Sequence, residues 1–127
     1  MLEQAPLVWG EIAVADMDRA VAFYSKHFDV CFHRETMNDM EMAVLETADK
    51  EAASIGLVKH EMMQPSAHGS VLYLHLGPQL TPLVERISQA GVKVLLPVMP
   101  IKDGECGFIA LFEDSEGNTV GLWSKEK

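Results

Sequence analysis

The chain carries one structural pattern twice, and this repeat restricts its fold more than any other feature of the sequence. Apolar residues at helical spacing form two stripes, and each residue of the second stripe lies 63 positions after its counterpart. The stripes comprise Met17, Ala20, Val21 and Tyr24 in the first copy and Leu80, Leu83, Val84 and Ile87 in the second. One apolar strand precedes each helix and three strand-like segments follow it. The sequence therefore predicts two βαβββ modules.

The predicted strands give both modules the same order of elements. They span Leu7–Val14, Val30–Met37, Glu41–Glu46 and Ser54–His60 in module one, and Ser70–Leu76, Val92–Pro97, Gly107–Glu113 and Asn118–Ser124 in module two. Asp16 is predicted to cap the first helix, and Gly91 to follow the second helix in the left-handed conformation. We expect one α+β domain, 1–127, with module one at about 7–61 and module two at about 69–126. The alternative is that two amphipathic helices align by chance.

Charge and composition exclude several classes of function. Ten Lys and Arg against nineteen Asp and Glu give a formal net charge of -9, and no basic block is present that would neutralise nucleic-acid phosphates. The longest apolar stretches, Val71–Leu76 and Val94–Ile101, are too short to cross a membrane, and the first residues lack the basic start of a secretory signal. Cys31 and Cys106 are predicted to be free thiols in a reducing compartment. We therefore expect a cytoplasmic protein with neither nucleic-acid nor membrane partners.

Several segments, taken in order, resemble one known superfamily. Ile12–Met17 leads into Ala22–Tyr24, and Phe112–Asn118 leads into Gly121–Leu122, with Ala90–Val92 between the two pairs. In this order and spacing they resemble the vicinal oxygen chelate superfamily, which includes glyoxalase I, bleomycin-resistance and fosfomycin-resistance proteins, and extradiol dioxygenases. The resemblance implies two βαβββ modules that form a curved, partly open eight-stranded sheet around a cup. It also implies a homodimer.

The same resemblance indicates where a metal ion would bind. In metal-using members, each module supplies one ligand from its first strand and another from its last strand. These positions correspond here to Trp9 and Leu72 on the first strands and to Gly56 and Gly121 on the last. An indole N–H is only a donor, a leucine side chain has no ligand atom, and glycine has no side chain. We therefore expect neither a metal nor another cofactor.

Several side chains are predicted to meet in the cup. The residues expected to line it are Trp9, Glu11, Val58, Leu72, Leu74, Phe112 and Trp123. Glu11 is the candidate catalytic base or ligand anchor, although a strand carboxylate can also lie at a rim and face water. Trp9 and Trp123 could form an aromatic platform for a planar molecule, or could simply cover the strand glycines. His75 is expected on the helix-facing side of its strand, and Cys106 in a loop without a role.

These residues leave three hypotheses about function. In the leading one, the chain binds a small apolar or planar molecule in the cup without a metal ion, and Glu11 removes a proton next to a carbonyl if there is turnover. In the second, the chain is a divalent-metal-dependent lyase, isomerase or dioxygenase with a relocated site built from Glu11 with His60 or Glu113. In the third, it is a non-catalytic interaction module and the cup is ordinary core.

Overall fold

The computed structural model describes residues 1–127 and contains two α-helices and eight β-strands. The elements of module one are β1 (Trp9–Ala13), α1 (Met17–Phe28), β2 (Phe32–Met37), β3 (Met40–Leu45) and β4 (Ser54–Lys59). Those of module two are β5 (Tyr73–Leu74), α2 (Leu80–Gln89), β6 (Val94–Pro100), β7 (Phe108–Glu113) and β8 (Thr119–Ser124). The predicted α+β class and the repeated βαβββ order are confirmed. At 12 and 10 residues, neither helix is long enough to cross a bilayer.

Each module folds into its own four-stranded sheet, and both sheets have the same topology. The strand orders are β1-β4-β3-β2 and β5-β8-β7-β6. The first strand of each module runs parallel to the fourth, and all other neighbours are antiparallel. Glu11 pairs with Gly56 in module one, and Tyr73 pairs with Gly121 in module two. No ladder joins the two sheets, so the eight strands form two open sheets of four.

Two strands differ most from their predicted bounds. The predicted strand Ser70–Leu76 is reduced to the two residues of β5, because its only partner, β8, pairs with it over just two positions. The predicted strand Val92–Pro97 instead continues to Pro100. Proline lacks the N–H that a central strand needs, but β6 is an edge strand whose register shifts between Leu96 and Met99. Proline alone was therefore a poor guide to where this strand ends.

The buried core lies on the sides of the two sheets that face the helices. Sixteen buried apolar residues from both modules form one cluster there. Phe112 of β7 in module two packs against α1 of module one, and its ring centroid lies 5.4 Å from that of Phe28. The two modules therefore share one core. The opposite side of each sheet, which we call the far face, has no helix packed on it.

Module two holds the N-terminus of α1 through a single carboxylate. The side chain of Glu116 accepts hydrogen bonds from the backbone amides of Ala15 and Asp16, both at 2.8 Å. It also forms an ion pair with Arg19 at 2.7 Å, and the Glu116 side chain is fully buried. The predicted cap is present as well, because Asp16 Oδ1 accepts from the backbone amide of Arg19 at 3.0 Å. Two carboxylates thus accept hydrogen bonds from backbone amides at the start of α1, those of Asp16 and Arg19.

Module two also holds the other end of α1, with a side chain of opposite charge. Arg86 of α2 donates to the carboxylate of Asp29, the C-terminal cap of α1, and to the backbone oxygen of Lys26 at 2.8 Å. A helix carries partial positive charge at its N-terminus and partial negative charge at its C-terminus. Glu116 and Arg86 therefore match the dipole of α1 at both ends and join the two modules across it.

A buried carboxylate organises the turn between β7 and β8. Asp114 accepts a hydrogen bond from the Tyr24 hydroxyl at 2.7 Å and further bonds from Asn118. Asn118 in turn donates to the backbone oxygen of Ala13 at 2.8 Å and accepts from the backbone amide of Ser66 at 2.8 Å. This turn therefore links α1, β1 and the segment between the modules.

The environment of Glu116 makes the stability of the fold depend on pH. Burial raises the pKa of Glu116, but hydrogen bonds from the Arg19 side chain, the Ser115 hydroxyl and two backbone amides outweigh it and lower the pKa to about 2. A carboxyl group with a lowered pKa stabilises the folded state above its unfolded pKa of roughly 4.3, and this contribution is lost as the pH falls towards 2.

We predict that Glu116→Gln lowers the free energy of unfolding at neutral pH by about 2 to 3 kcal/mol. The difference from the parent protein should shrink progressively between about pH 4, where the carboxyl of the unfolded parent takes up a proton, and about pH 2, where that of the folded parent does so. Urea denaturation at a series of pH values measures both effects. Glu61→Gln, at an exposed loop position, is the matched control and should change little. A deficit that persists unchanged into acid would contradict the role given to the Glu116 charge.

Candidate functional site

The structure reverses the predicted orientation of β5. Leu72 and Leu74 were expected in the cup and His75 towards the helix, and these orientations are wrong. Leu74 is 7% exposed within the core, Leu72 packs against the core, and Tyr73 and His75 lie on the far face. Each residue of α2 lies 63 positions after its counterpart in α1. Each residue of β5, however, lies only 62 positions after its counterpart in β1. A shift of one residue moves every side chain of a strand to the other face.

Two more of the predicted lining residues are buried. Phe112 was expected in the cup but is fully buried in the core against α1. Val58 is also fully buried and has no exposed surface to offer a ligand. The remaining residues of the predicted lining, Trp9, Glu11 and Trp123, lie on the far faces. The structure therefore leaves Trp9, Glu11 and Trp123 on the far faces, places Leu74 and Phe112 in the core, and buries Val58 on the far face of β4.

The indole of Trp9 lies directly over Gly56 in the neighbouring strand. A Cβ atom at Gly56 would lie 2.8 Å from Trp9 Cζ2, so only glycine permits this approach. Trp9 Nε1 donates a hydrogen bond to Glu11 Oε2 at 3.2 Å. Trp9 is 37% exposed, and Glu11 is exposed too. An accessible aromatic ring and a carboxylate therefore lie side by side on the far face of module one.

Module two repeats this arrangement with a residue that the sequence analysis missed. The ring of Tyr73 occupies the space that a Cβ atom on Gly121 would need, just as Trp9 does at Gly56. Tyr73 is 49% exposed. The signal that could have revealed it is the pair of glycines at matching positions of the two last strands. Each glycine leaves a gap that an aromatic side chain of the adjoining first strand can cover.

Trp123 connects the far face of module two to a neighbouring loop. Its Nε1 donates to the backbone oxygen of Cys106 at 2.8 Å. The His75 ring contacts the indole edge-on, with centroids 5.1 Å apart. The indole N–H of Trp123 is therefore already hydrogen-bonded within the chain. The contact between Trp123 and His75 extends the aromatic surface on the far face of module two.

Four strand positions of this chain correspond to the metal-ligand positions of metal-using members of the resembled superfamily. Their side chains do not fit a divalent cation. By strand register, the counterpart of Trp9 in module two is Val71 rather than the predicted Leu72, and a valine side chain has no ligand atom either. Aromatic rings fill the spaces beside the two glycines where ligand side chains would otherwise project. Oxygen, nitrogen or sulfur ligands are therefore lacking at all four positions.

The structure also does not assemble the relocated metal site considered above. No three residues among His, Cys, Asp and Glu cluster in this chain in a way that could hold a metal ion. The ring of His60 is used locally, because its Nδ1 accepts a hydrogen bond from the backbone amide of Met62 at 3.1 Å. Glu11, His60 and Glu113 therefore do not form one ligand set.

Two clefts flank Trp9 and Glu11. The first has a volume of about 250 Å³, and its lining includes Glu11, Gln64, Ser66, Leu72 and Thr119. The second has a volume of about 410 Å³ and lies between Trp9, Val8 and the loop at residues 44–52. Volumes of this order suit parts of a small molecule. The arrangement can stack a planar group on the indole and accept a hydrogen bond or a proton at the carboxylate.

Comparison with solved structures identifies the fold. The crystal structure of UcmS2 matches with a TM-score of 0.69 and 23% identity over 94% of this chain and 98% of that one. The trypanothione-dependent glyoxalase I of Leishmania major matches with a TM-score of 0.69 and 16% identity, covering 96% and 88%. The fosfomycin resistance protein FosX of Listeria monocytogenes matches with a TM-score of 0.64 and 18% identity, covering 98% and 92%.

Family membership rests on the sequence itself. No curated protein matches the chain. A sequence profile for one superfamily matches residues 7–122, which extends from before β1 into β8 and so spans both modules. With the repeated βαβββ topology, this match shows that the chain belongs to the Glyoxalase/Bleomycin resistance protein/Dioxygenase superfamily.

Proposed function

We propose that this protein binds a small planar, largely apolar molecule on its far faces without a divalent metal ion. The observation that carries this proposal is the pair of aromatic rings that lie over Gly56 and Gly121. In metal-using relatives a ligand side chain projects from these strand positions, whereas here each position supports an accessible ring. Trp9 and Tyr73 are 37% and 49% exposed, so both can contact a bound molecule.

Glu11 gives the proposed site its polar group. It is exposed beside the indole of Trp9, and that indole N–H is its hydrogen-bond donor. A carboxylate in this place can anchor a hydroxyl or amine of the ligand. If the ligand carries an acidic C–H next to a carbonyl, Glu11 is the group placed to remove that proton. No observation favours the metal-dependent alternative, and the exposure of the far-face rings disfavours the view that they are ordinary core.

We further propose that the protein acts as a homodimer in which a second copy covers the far faces. Within one chain these faces leave large apolar side chains uncovered, including Met37 at 52% and Met99 at 45% exposure. Such an apolar surface on a chain with a net charge of -9 is typical of an interaction site. A second copy would also enclose the ligand, because each chain by itself offers only open clefts.

The first test of the proposed function concerns metal independence. Protein purified without chelators should contain far less than one equivalent of Zn, Ni, Fe or Mn by elemental analysis. Acridine, a planar and mostly apolar probe, should bind equally well before and after exhaustive treatment with a chelator. One equivalent of tightly held metal, or binding that is lost with chelator and restored by metal, would favour the metal-dependent alternative instead.

The second test concerns the aromatic surface. Trp9→Leu keeps an apolar side chain but removes the ring, and we expect it to weaken acridine binding about tenfold, as measured by calorimetry. Met62→Leu changes an apolar residue that is 83% exposed in a loop outside the site, and it should have no effect. Unchanged affinity in the Trp9 variant would remove the indole from the site.

The third test concerns the dimer. Light scattering should give twice the chain mass for the parent protein. Met99→Glu places a charge on the far face of module two and should shift the population towards monomer, because burying an unpaired charge in an apolar interface is costly. Gln89→Glu, an exposed position on α2 away from the far faces, should remain dimeric. A monomeric parent protein, or a Met99 variant that stays fully dimeric, would contradict this interface.

A further inference from the structure

Positive side chains are excluded from the far faces of both sheets. Of the ten Lys and Arg residues in the chain, only Arg34 and Lys59 lie in strands. Arg34 pairs with the core residue Ala43 and forms an ion pair with Asp18 of α1 at 2.6 Å, so it lies on the helix-facing side. Lys59 pairs with Glu41 on the same side. No lysine or arginine of a strand therefore lies on the far faces.

Carboxylates, in contrast, are present on these faces. Glu11 lies on the far face of β1, Glu35 on that of β2 and Glu113 on that of β7, as their strand registers show. Glu35 has a partial partner in His33, whose Nε2 lies 3.4 Å from its carboxylate. Glu11 has no ion-pair partner. Its hydrogen bond from the neutral indole of Trp9 leaves its negative charge uncompensated.

The cleft beside Trp9 also carries a net negative charge. Its lining contains three carboxylates, those of Glu46, Asp49 and Glu51, against the single ammonium group of Lys50. The Asp49 carboxylate is held in place by backbone amides of the loop and faces no basic side chain. A molecule stacked on the indole of Trp9 would therefore have carboxylates on two sides, Glu11 on the strand and these groups in the loop.

We propose that the ligand of this site is an aromatic cation, and that the site disfavours an anionic ligand. This inference rests on the proposed function and specifies the chemical class of the molecule bound there. The exposed indole attracts a positive charge through its ring electrons, and the adjacent Glu11 carboxylate attracts it directly. A carboxylate, sulfonate or phosphate group would instead meet repulsion, and no lysine or arginine of a strand lies on these faces to compensate it.

Three probes with the same ring system separate charge from shape. They are 10-methylacridinium, which is a cation, acridine, which is neutral at mildly alkaline pH, and acridine-9-carboxylate, which is an anion. We expect the cation to bind about tenfold more tightly than acridine in calorimetry at low salt, and the anion to bind most weakly. The advantage of the cation should decrease as sodium chloride is added, because salt screens exposed charges.

One matched pair of variants assigns the effect to the site. Glu11→Gln keeps the size and the hydrogen-bond acceptor but removes the charge, and it should weaken 10-methylacridinium binding about fivefold more than it weakens acridine binding. Glu85→Gln removes an exposed charge from α2, away from the far faces, and should change neither. The calorimetry is done on the full chain in its native oligomeric state.

The outcomes distinguish this inference from the proposal on which it rests. Equal affinities for the cation and for acridine, tighter binding of the anion, or a Glu11 variant that still prefers the cation to the same degree would overturn the inference. In those cases the proposed binding of planar molecules would stand. If none of the three probes binds, the proposed function fails, and the charge preference fails with it.

Discussion

One turn of module two, Asp114–Asn118, connects most of the molecule. Its Glu116 carboxylate accepts a hydrogen bond from the backbone amide of Asp16, the N-cap of α1 in the other module. Its Asp114 accepts from the Tyr24 hydroxyl, and its Asn118 donates to the backbone oxygen of Ala13 at the end of β1. Breaking these buried polar contacts would leave charges and donors without partners, which costs more than each contact contributes when formed. The turn therefore holds module two against α1 and β1 of module one.

The shared core determines what is left for function. Because α1 packs against both modules, the helix-facing sides of the sheets are fully used and the far faces are not. In this chain the far faces combine exposed aromatic rings with carboxylates, and no lysine or arginine of a strand lies there. The proposed preference for stacking and for positive charge rests on this combination.

Much of the fold followed from periodicity. The two helical stripes, the cap at Asp16, the left-handed Gly91 and the repeated order of strands could all be predicted, because each depends on local spacing. The candidate site was less predictable. The connection from β5 to α2 is one residue longer than the matching connection in module one. The side chains of β5 are therefore oriented opposite to the prediction, with Leu72 and Leu74 towards the core and Tyr73 on the far face. Strand orientation has a period of two, and sequence spacing alone does not fix it when connections differ in length.

The sequence by itself determined the class of fold and the repeat, because these depend on residue type and on spacing along the chain. Only the tertiary structure decided which side chains meet. Gly56 and Gly121 are simply gaps in a strand until the rings of Trp9 and Tyr73 are seen to lie over them. Likewise, the Glu116 carboxylate begins a helix about one hundred residues earlier in the chain, a contact that arises only when the two modules pack together.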